Sequence, residues 1–244
     1  MGSNVIFSKQ VEQNNTIFQG TKYPWLVRIC HGQVMDFGFG VSVLHVQGDP
    51  TGCFCAGTLV AANYIVTAGH CLYRWDQNTD RVTKRYTPLT IHVIIGDYDT
   101  SQQNETGLEK ILEIEEIIRH PNHDLNLGDR GLEKTEGYDI AMLKLKKPVD
   151  LSVYTPACLA RPEDGDKYAG KKGTAVGWGS TDIHNSKEKQ DTPQEVQLPI
   201  AGSVNCPESN NENPSMLCAG MGAGGSSGTC HVSKYHNLSI SSMS

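Results

Sequence analysis

Tyr64-Ile65-Val66-Thr67-Ala68-Gly69-His70-Cys71 is the stretch on which the reading of this chain turns. Four residues of high β propensity predict a strand over 64–67. The small pair Ala68-Gly69 then predicts a tight turn that presents His70. Further short β-branched runs surround it: Trp25–Ile29, Val41–Val46, Thr58–Val60, Leu89–Ile95, Ile111–Ile118 and Ile140–Leu145. Each is bounded by turn residues, so the chain reads as all-β. These runs suffice for an antiparallel six-stranded barrel, with the two pieces around Ala61-Ala62-Asn63 acting as one bent hairpin. A second polar signal stands at the head of the last run. In Tyr138-Asp139-Ile140-Ala141-Met142-Leu143 an aspartate leads directly into a buried strand.

Composition narrows the classes. The chain has 244 residues, 38% of them hydrophobic, and 25 glycines. That length suits one large all-β domain or two small barrels. Net charge is −6. The basic residues between Arg161 and Lys189 are interleaved with acids, which fits a solvated loop and not a nucleic-acid groove. No run is long and apolar enough to span a membrane as a helix. Eight cysteines point to an oxidising compartment. Neither a CxxC pair nor a histidine cluster has zinc spacing, and Cys53-Phe54-Cys55 is too tight for it. Met1-Gly2-Ser3-Asn4-Val5-Ile6 shows no signal-peptide pattern, and Ile6 breaks the myristoylation motif. The sequons at Asn14, Asn104 and Asn237 fit secretion.

Eight motifs follow one another in a recognisable order. They are Pro24-Trp25-Leu26-Val27, Cys55-Ala56-Gly57-Thr58-Leu59-Val60, the His70 turn, Arg119-His120-Pro121, the Asp139 strand, Pro156-Ala157-Cys158-Leu159, Val176-Gly177-Trp178-Gly179 and Met216-Leu217-Cys218-Ala219-Gly220. In this order they resemble the trypsin/chymotrypsin-like serine endopeptidases. The resemblance implies a double antiparallel β-barrel, with the first barrel complete in this sequence and the second incomplete. It implies that His70 is the general base and that a buried Asp139 orients its other ring nitrogen. It implies the disulfides Cys55–Cys71 and Cys206–Cys218. Cys30 and Cys53 flank the first β-hairpin and could pair across it. Cys158 resembles the cysteine that bonds a propeptide or light chain, and Cys230 the partner of a cysteine not found in this sequence. Gly69 replaces the usual alanine, a change expected only to loosen the turn.

The resemblance also locates what the sequence lacks. The nucleophile should stand four residues beyond Cys230, where this chain has Lys234, and Gly-Asp-Ser-Gly-Gly occurs nowhere. The oxyanion donors would come from the same loop. Ser226 in Gly224-Gly225-Ser226-Ser227-Gly228 matches a nucleophile elbow literally, but a glycine-rich stretch precedes it where that motif needs a strand. Ser233 lacks flanking glycines. Thr16-Ile17-Phe18-Gln19-Gly20 is a distant echo of an activation sequence with no basic residue before it. Gly228 occupies the primary specificity position, where trypsins carry aspartate, so no preference for basic side chains is implied. Asp97 and Glu109, with Glu105 between them, bracket a loop resembling the calcium loop of some family members. Carboxylates suit calcium, although the uncharged Ser101-Gln102-Gln103-Asn104 reads equally as part of a solvated acidic loop.

The expected organisation is a polar leader over 1–23, a first barrel over 24–150, part of a second over 151–230, and an unpatterned tail over 231–244. Tyr73–Pro88, Asp97–Glu109 and Asn122–Gly137 are read as loop insertions. Function is expected to lie with the serine endopeptidases, acting on polypeptides outside the cell, without nucleic-acid or membrane partners and with no cofactor unless calcium. Without a nucleophile the chain is expected to be inactive. The alternative is a non-catalytic homologue that binds a protease, an inhibitor or a receptor through its first barrel.

Overall fold

The computed structural model describes residues 22–36, 41–44, 52–76, 81–123, 138–160, 167–180, 190–200, 219 and 239–243. Its elements are nearly all strands: β1 (Leu26–His31), β2 (Gln33–Asp36), β3 (Val41–Leu44), β4 (Cys53–Ala61), β5 (Tyr64–Thr67), β6 (Tyr73–Asp76) and β7 (Arg81–Arg85). There follow β8 (Ile91–Ile95), β9 (Lys110–Leu112), β10 (Ile114–Arg119), β11 (Ala141–Leu145), β12 (Lys172–Gly177), β13 (Gln194–Pro199) and β14 (Ser239–Met243). Among the described residues, 3-10 turns at Gly69–Leu72 and Pro121–His123 interrupt the series. Among the described residues no helix is long and apolar enough to cross a membrane.

The principal sheet runs β10-β11-β5-β4-β1-β8-β9, antiparallel throughout. Its two outer strands, β9 and β10, are consecutive pieces of one segment interrupted at Glu113. The run read as a single strand over Ile111–Ile118 is thus broken once, and its halves serve opposite edges. The sheet curls until one segment borders it on both sides, which leaves little free edge. Period-two patterning sets what points inward. In β11, Ala141, Leu143 and Leu145 are buried while Met142 and Lys144 face out. All five residues of β8 are buried. Val27, Ile29, Leu59, Ile65, Val93 and Leu143 form the heart of the core, with Tyr154 packed into it from the segment after β11.

Two hairpins lie outside this sheet. One pairs β2 with β3, between the cysteines of the Cys30–Cys53 disulfide. The other pairs β6 with β7, so the Tyr73–Pro88 insertion is itself structured. Arg119 ties that hairpin down, donating through Nη2 to the carbonyls of Tyr86 at 2.6 Å and Leu72 at 3.3 Å.

A separate sheet has the order β13-β12-β14. No alternation marks residues 239–243 in the sequence, yet β14 lies antiparallel on β12 (Gly173↔Met243, Val176↔Ser239). Backbone pairing needs no side-chain pattern, which is why the sequence gives no sign of it. This sheet meets the first at several points. Trp178 donates from Nε1 to the Tyr98 carbonyl at 3.0 Å, and the Thr100 N–H donates to the Asp191 carbonyl at 2.8 Å. Glu195 on β13 accepts from Lys22 Nζ at 2.6 Å and from the Tyr23 hydroxyl. Burial, the hydrogen bond to Glu195 and that carboxylate's charge all push the Tyr23 phenol upward.

Replacing Leu143, which is 0% exposed, by alanine is expected to cost ~2–5 kcal/mol in urea unfolding with the disulfides intact. Met142→Ala, on the outward face of the same strand and 36% exposed, is expected to cost within about 0.5 kcal/mol of nothing.

Candidate active site

Thr67 closes β5, and its hydroxyl donates to the Ala56 carbonyl of β4 at 2.8 Å. Ala68 is extended, and the chain then tightens into the turn Gly69–Leu72. Within the turn Cys71 is bonded to Cys55 of β4, and the Leu72 carbonyl accepts the Tyr86 N–H at 2.9 Å. Held on both sides, the turn buries Gly69, Cys71 and Leu72 and leaves His70 partly exposed.

The partner arrives through strand register. Ala141 at the start of β11 pairs with Thr67 at the end of β5. Residues just before β11 and just after β5 therefore meet at the same end of the sheet. Asp139 Oδ1 accepts the backbone N–H of His70 at 2.8 Å, and Oδ2 lies 2.6 Å from His70 Nδ1. With Nδ1–H donating to Oδ2, the ring's Nε2 lone pair is available to take a proton. Burial works to raise the Asp139 pKa. The hydrogen bond and charge of His70, its backbone N–H and the charge of His123 outweigh that and hold it below 3.8.

Asp139 is not the buried carboxylate expected from the sequence, for its side chain is 42% exposed. Tyr138 and Ile140 on either side are exposed too, so the segment runs over the surface until Ala141 turns inward. Hydrogen bonding and not enclosure fixes this carboxylate. Tyr138 has a φ of 55°, unusual for a residue with a bulky side chain. The His120 ring stacks on it at 4.5 Å with an interplanar angle of 8°. The sequence motif Arg119-His120-Pro121 stops short of His123, which lies buried with Nε2 3.3 Å from Asp139 Oδ1.

Away from this pair, Asp97, Glu105 and Glu109 bring carboxylate oxygens within 4.8 Å of one another. Gly96 permits the loop, since φ is +79° and a Cβ would meet the Leu108 carbonyl oxygen at 2.3 Å. Glu105 Oε1 accepts the N–H groups of Tyr98 and Asp99, both at 2.8 Å, and Glu109 accepts that of Asn104 at 2.7 Å. Arg28 forms an ion pair with Asp97. Burial raises the Asp97 pKa most strongly, Arg28 opposes it, and Glu109, Glu105 and Asp99 add to it, leaving a value of about 6.

Cys158 is exposed and unbonded. Cys206, Cys218, Gly228, Cys230 and Lys234 lie outside the described residues.

The family model described as Trypsin matches residues 32–236. The chymotrypsin-like elastase family member 1 of Rattus norvegicus is 28% identical over 185 residues, covering 74% of this chain and 60% of that protein. Its namesake in Macaca fascicularis gives the same figures. Serine protease SSP1 of Scolopendra subspinipes is 27% identical over 217 residues, or 86% of this chain and 63% of its own length. The chain thus spans less than two thirds of the relatives it matches.

The raised Asp97 pKa fixes the sign of a pH effect. Between about 4 and 6 the folded chain holds a proton that the unfolded chain releases, so this group's contribution falls as pH rises through that window and levels off above it. Urea unfolding in EDTA is expected to show this decline in the native chain, and Asp97→Asn to remove it. A difference between the two proteins that does not vary with pH would refute the assignment.

Proposed function

Because the chain belongs to the trypsin-like serine peptidase family, we propose that His70 and Asp139 are its general base and the carboxylate that orients it. The 2.6 Å contact between His70 Nδ1 and Asp139 Oδ2 carries this reading. In the reaction, Nε2 would take the proton of an attacking hydroxyl, and Asp139 would stabilise the resulting imidazolium without itself accepting the proton. The substrate class is a polypeptide, in keeping with the family. An extracellular setting is supported by the disulfides Cys30–Cys53 and Cys55–Cys71 and by the resemblance to a chymotrypsin-like elastase.

The nucleophile is the missing partner. No Gly-Asp-Ser-Gly-Gly segment occurs in the 244 residues, and in this family that segment supplies both the serine and the oxyanion donors. The 244-residue polypeptide by itself is therefore proposed to lack hydrolytic activity. A protease homologue that holds a polypeptide without cutting it is the second reading, supported by the seven-stranded sheet beside His70 and Asp139 being assembled without that segment.

We also propose that Asp97, Glu105 and Glu109 hold a calcium ion. Their oxygen-only donor set suits a hard cation, and Asp97 and Glu105 each bury oxygens that accept no protein hydrogen bond. Arg28 neutralises part of the charge, so two net negative charges remain for the ion. Calcium would supply charge neutralisation to the loop against which the second sheet packs.

Two measurements follow. A fluorophosphonate probe is expected not to label the 244-residue chain, and stoichiometric labelling abolished by His70→Ala would show that a nucleophile is present after all. Calcium at about a hundred times its dissociation constant is expected to raise Tm by roughly 5–10 °C. Glu105→Gln should remove most of that rise, and an unchanged Tm in the native chain would dismiss the calcium site.

A further inference from the structure

Gly69 leaves a space beside its turn that another residue uses. A Cβ built on Gly69 would meet His123 Cδ2 at 2.2 Å and Nε2 at 2.7 Å, too close for any tolerated contact. The space that an alanine would fill is taken by an imidazole. That imidazole is buried, and its Nε2 points to the Asp139 oxygen that also receives the His70 N–H. Asp139 therefore sits between two histidines, His70 on Oδ2 and His123 on Oδ1.

We propose that His123 is a positioning residue for the Asp139–His70 pair, a second imidazole on the shared carboxylate that Gly69 exists to admit. This rests on the reading of His70 and Asp139 given above.

The need for such a residue follows from exposure. A carboxylate enclosed by protein keeps its rotamer by packing, whereas Asp139 at 42% exposure has no such enclosure. His70 hydrogen-bonds both of its oxygens, and the His123 ring, with Nε2 3.3 Å from Oδ1, walls the buried side of the carboxylate by charge and contact, not by a hydrogen bond. The turn Pro121–His123 grips the incoming segment twice, through His120 stacked on Tyr138 and through His123 on Asp139. The His120 N–H donates to the Ile140 carbonyl at 3.3 Å, which sets the turn in register with that segment. Three successive residues, 138 to 140, are thus held from one turn.

Sharing one carboxylate couples the two rings. A positive charge on either imidazole occupies part of the field of Asp139 and weakens its hold on the other. Among the described residues, charged and titratable groups near His123 gather about the Tyr73 ring. The edge of Tyr73 approaches His123 at 6.3 Å, and the guanidinium groups of Arg85 and Arg119 lie over the Tyr73 ring at 6.0 and 5.2 Å.

Imidazole nitrogen shifts of His70 and His123, followed by NMR from pH 4 to 9, read this coupling directly. The native curves are expected to show an inflection common to both rings. His123→Phe, and separately Gly69→Ala, which expels the ring but keeps the histidine, are each expected to reduce the His70 curve to a single-site transition. Asp139→Asn separates the two hypotheses. If it shifts His70 while both other variants leave a native curve, His123 has no positioning role; if it leaves His70 untouched, the underlying pair is itself wrong. Thermal melts guard against variants that fold poorly. Gly69→Ala is expected to lower Tm by roughly 5 °C when His123 is present and by less than about 2 °C in His123→Ala. An equal loss in both backgrounds would overturn the packing on which the proposal stands.

Discussion

The antiparallel register between β5 and β11 is the constraint on which the site depends. Thr67 faces Ala141, and a slip of one residue would turn the inward side chains of either strand to the opposite face. The core prevents it. Ile65 faces Leu143 across the pair and both are fully buried, so a shift would expose one and bury a lysine or methionine. Once the register is fixed, the turn after β5 and the approach to β11 can only meet at one end. The Cys55–Cys71 bond then prevents the turn from drifting away from β4. Geometry at His70 is thus a by-product of apolar packing on the far side of the sheet.

Much of this was legible in the sequence where side chains alternate. Tyr64–Thr67 was readable as a strand to the residue, because β-branched residues end there against Ala-Gly. Ile111–Ile118 reads as one strand, since its apolar residues continue across Glu113; the break is demanded by curvature, which no local pattern records. The β6–β7 hairpin is hidden for a different reason. Tyr73, Arg74, Thr83, Lys84 and Arg85 are polar or amphipathic, and the pair is steadied from outside by Arg119, far along the chain. Ser239–Met243 shows no alternation, so its pairing with β12 could not be read locally.

At the site, residue identity was more legible than environment. His70 and Asp139 stand out through their flanking motifs, but the exposure of Asp139 depends on how Tyr138 and Ile140 lie, which their apolar character disguises. Gly69 and His123 lie far apart in sequence, and neither carries meaning alone. One is an ordinary turn glycine, the other one of several histidines. Only their contact at Cδ2 shows that the absent methyl and the present ring are one feature.

Order of assembly follows from the split strand. Pairs such as β4–β5 and β8–β9 join neighbours along the chain, whereas β5–β11 and β1–β8 span long loops, and contacts of that kind are made late and slowly. The segment bordering both edges, β9 and β10, can seat its second half only when β11 has docked beside β5. Nascent chain emerging from synthesis would therefore hold His70 in its turn well before Asp139 reaches it. A downfield Nδ1 proton on that imidazole would report, in a refolding experiment, the moment the ring of strands shuts.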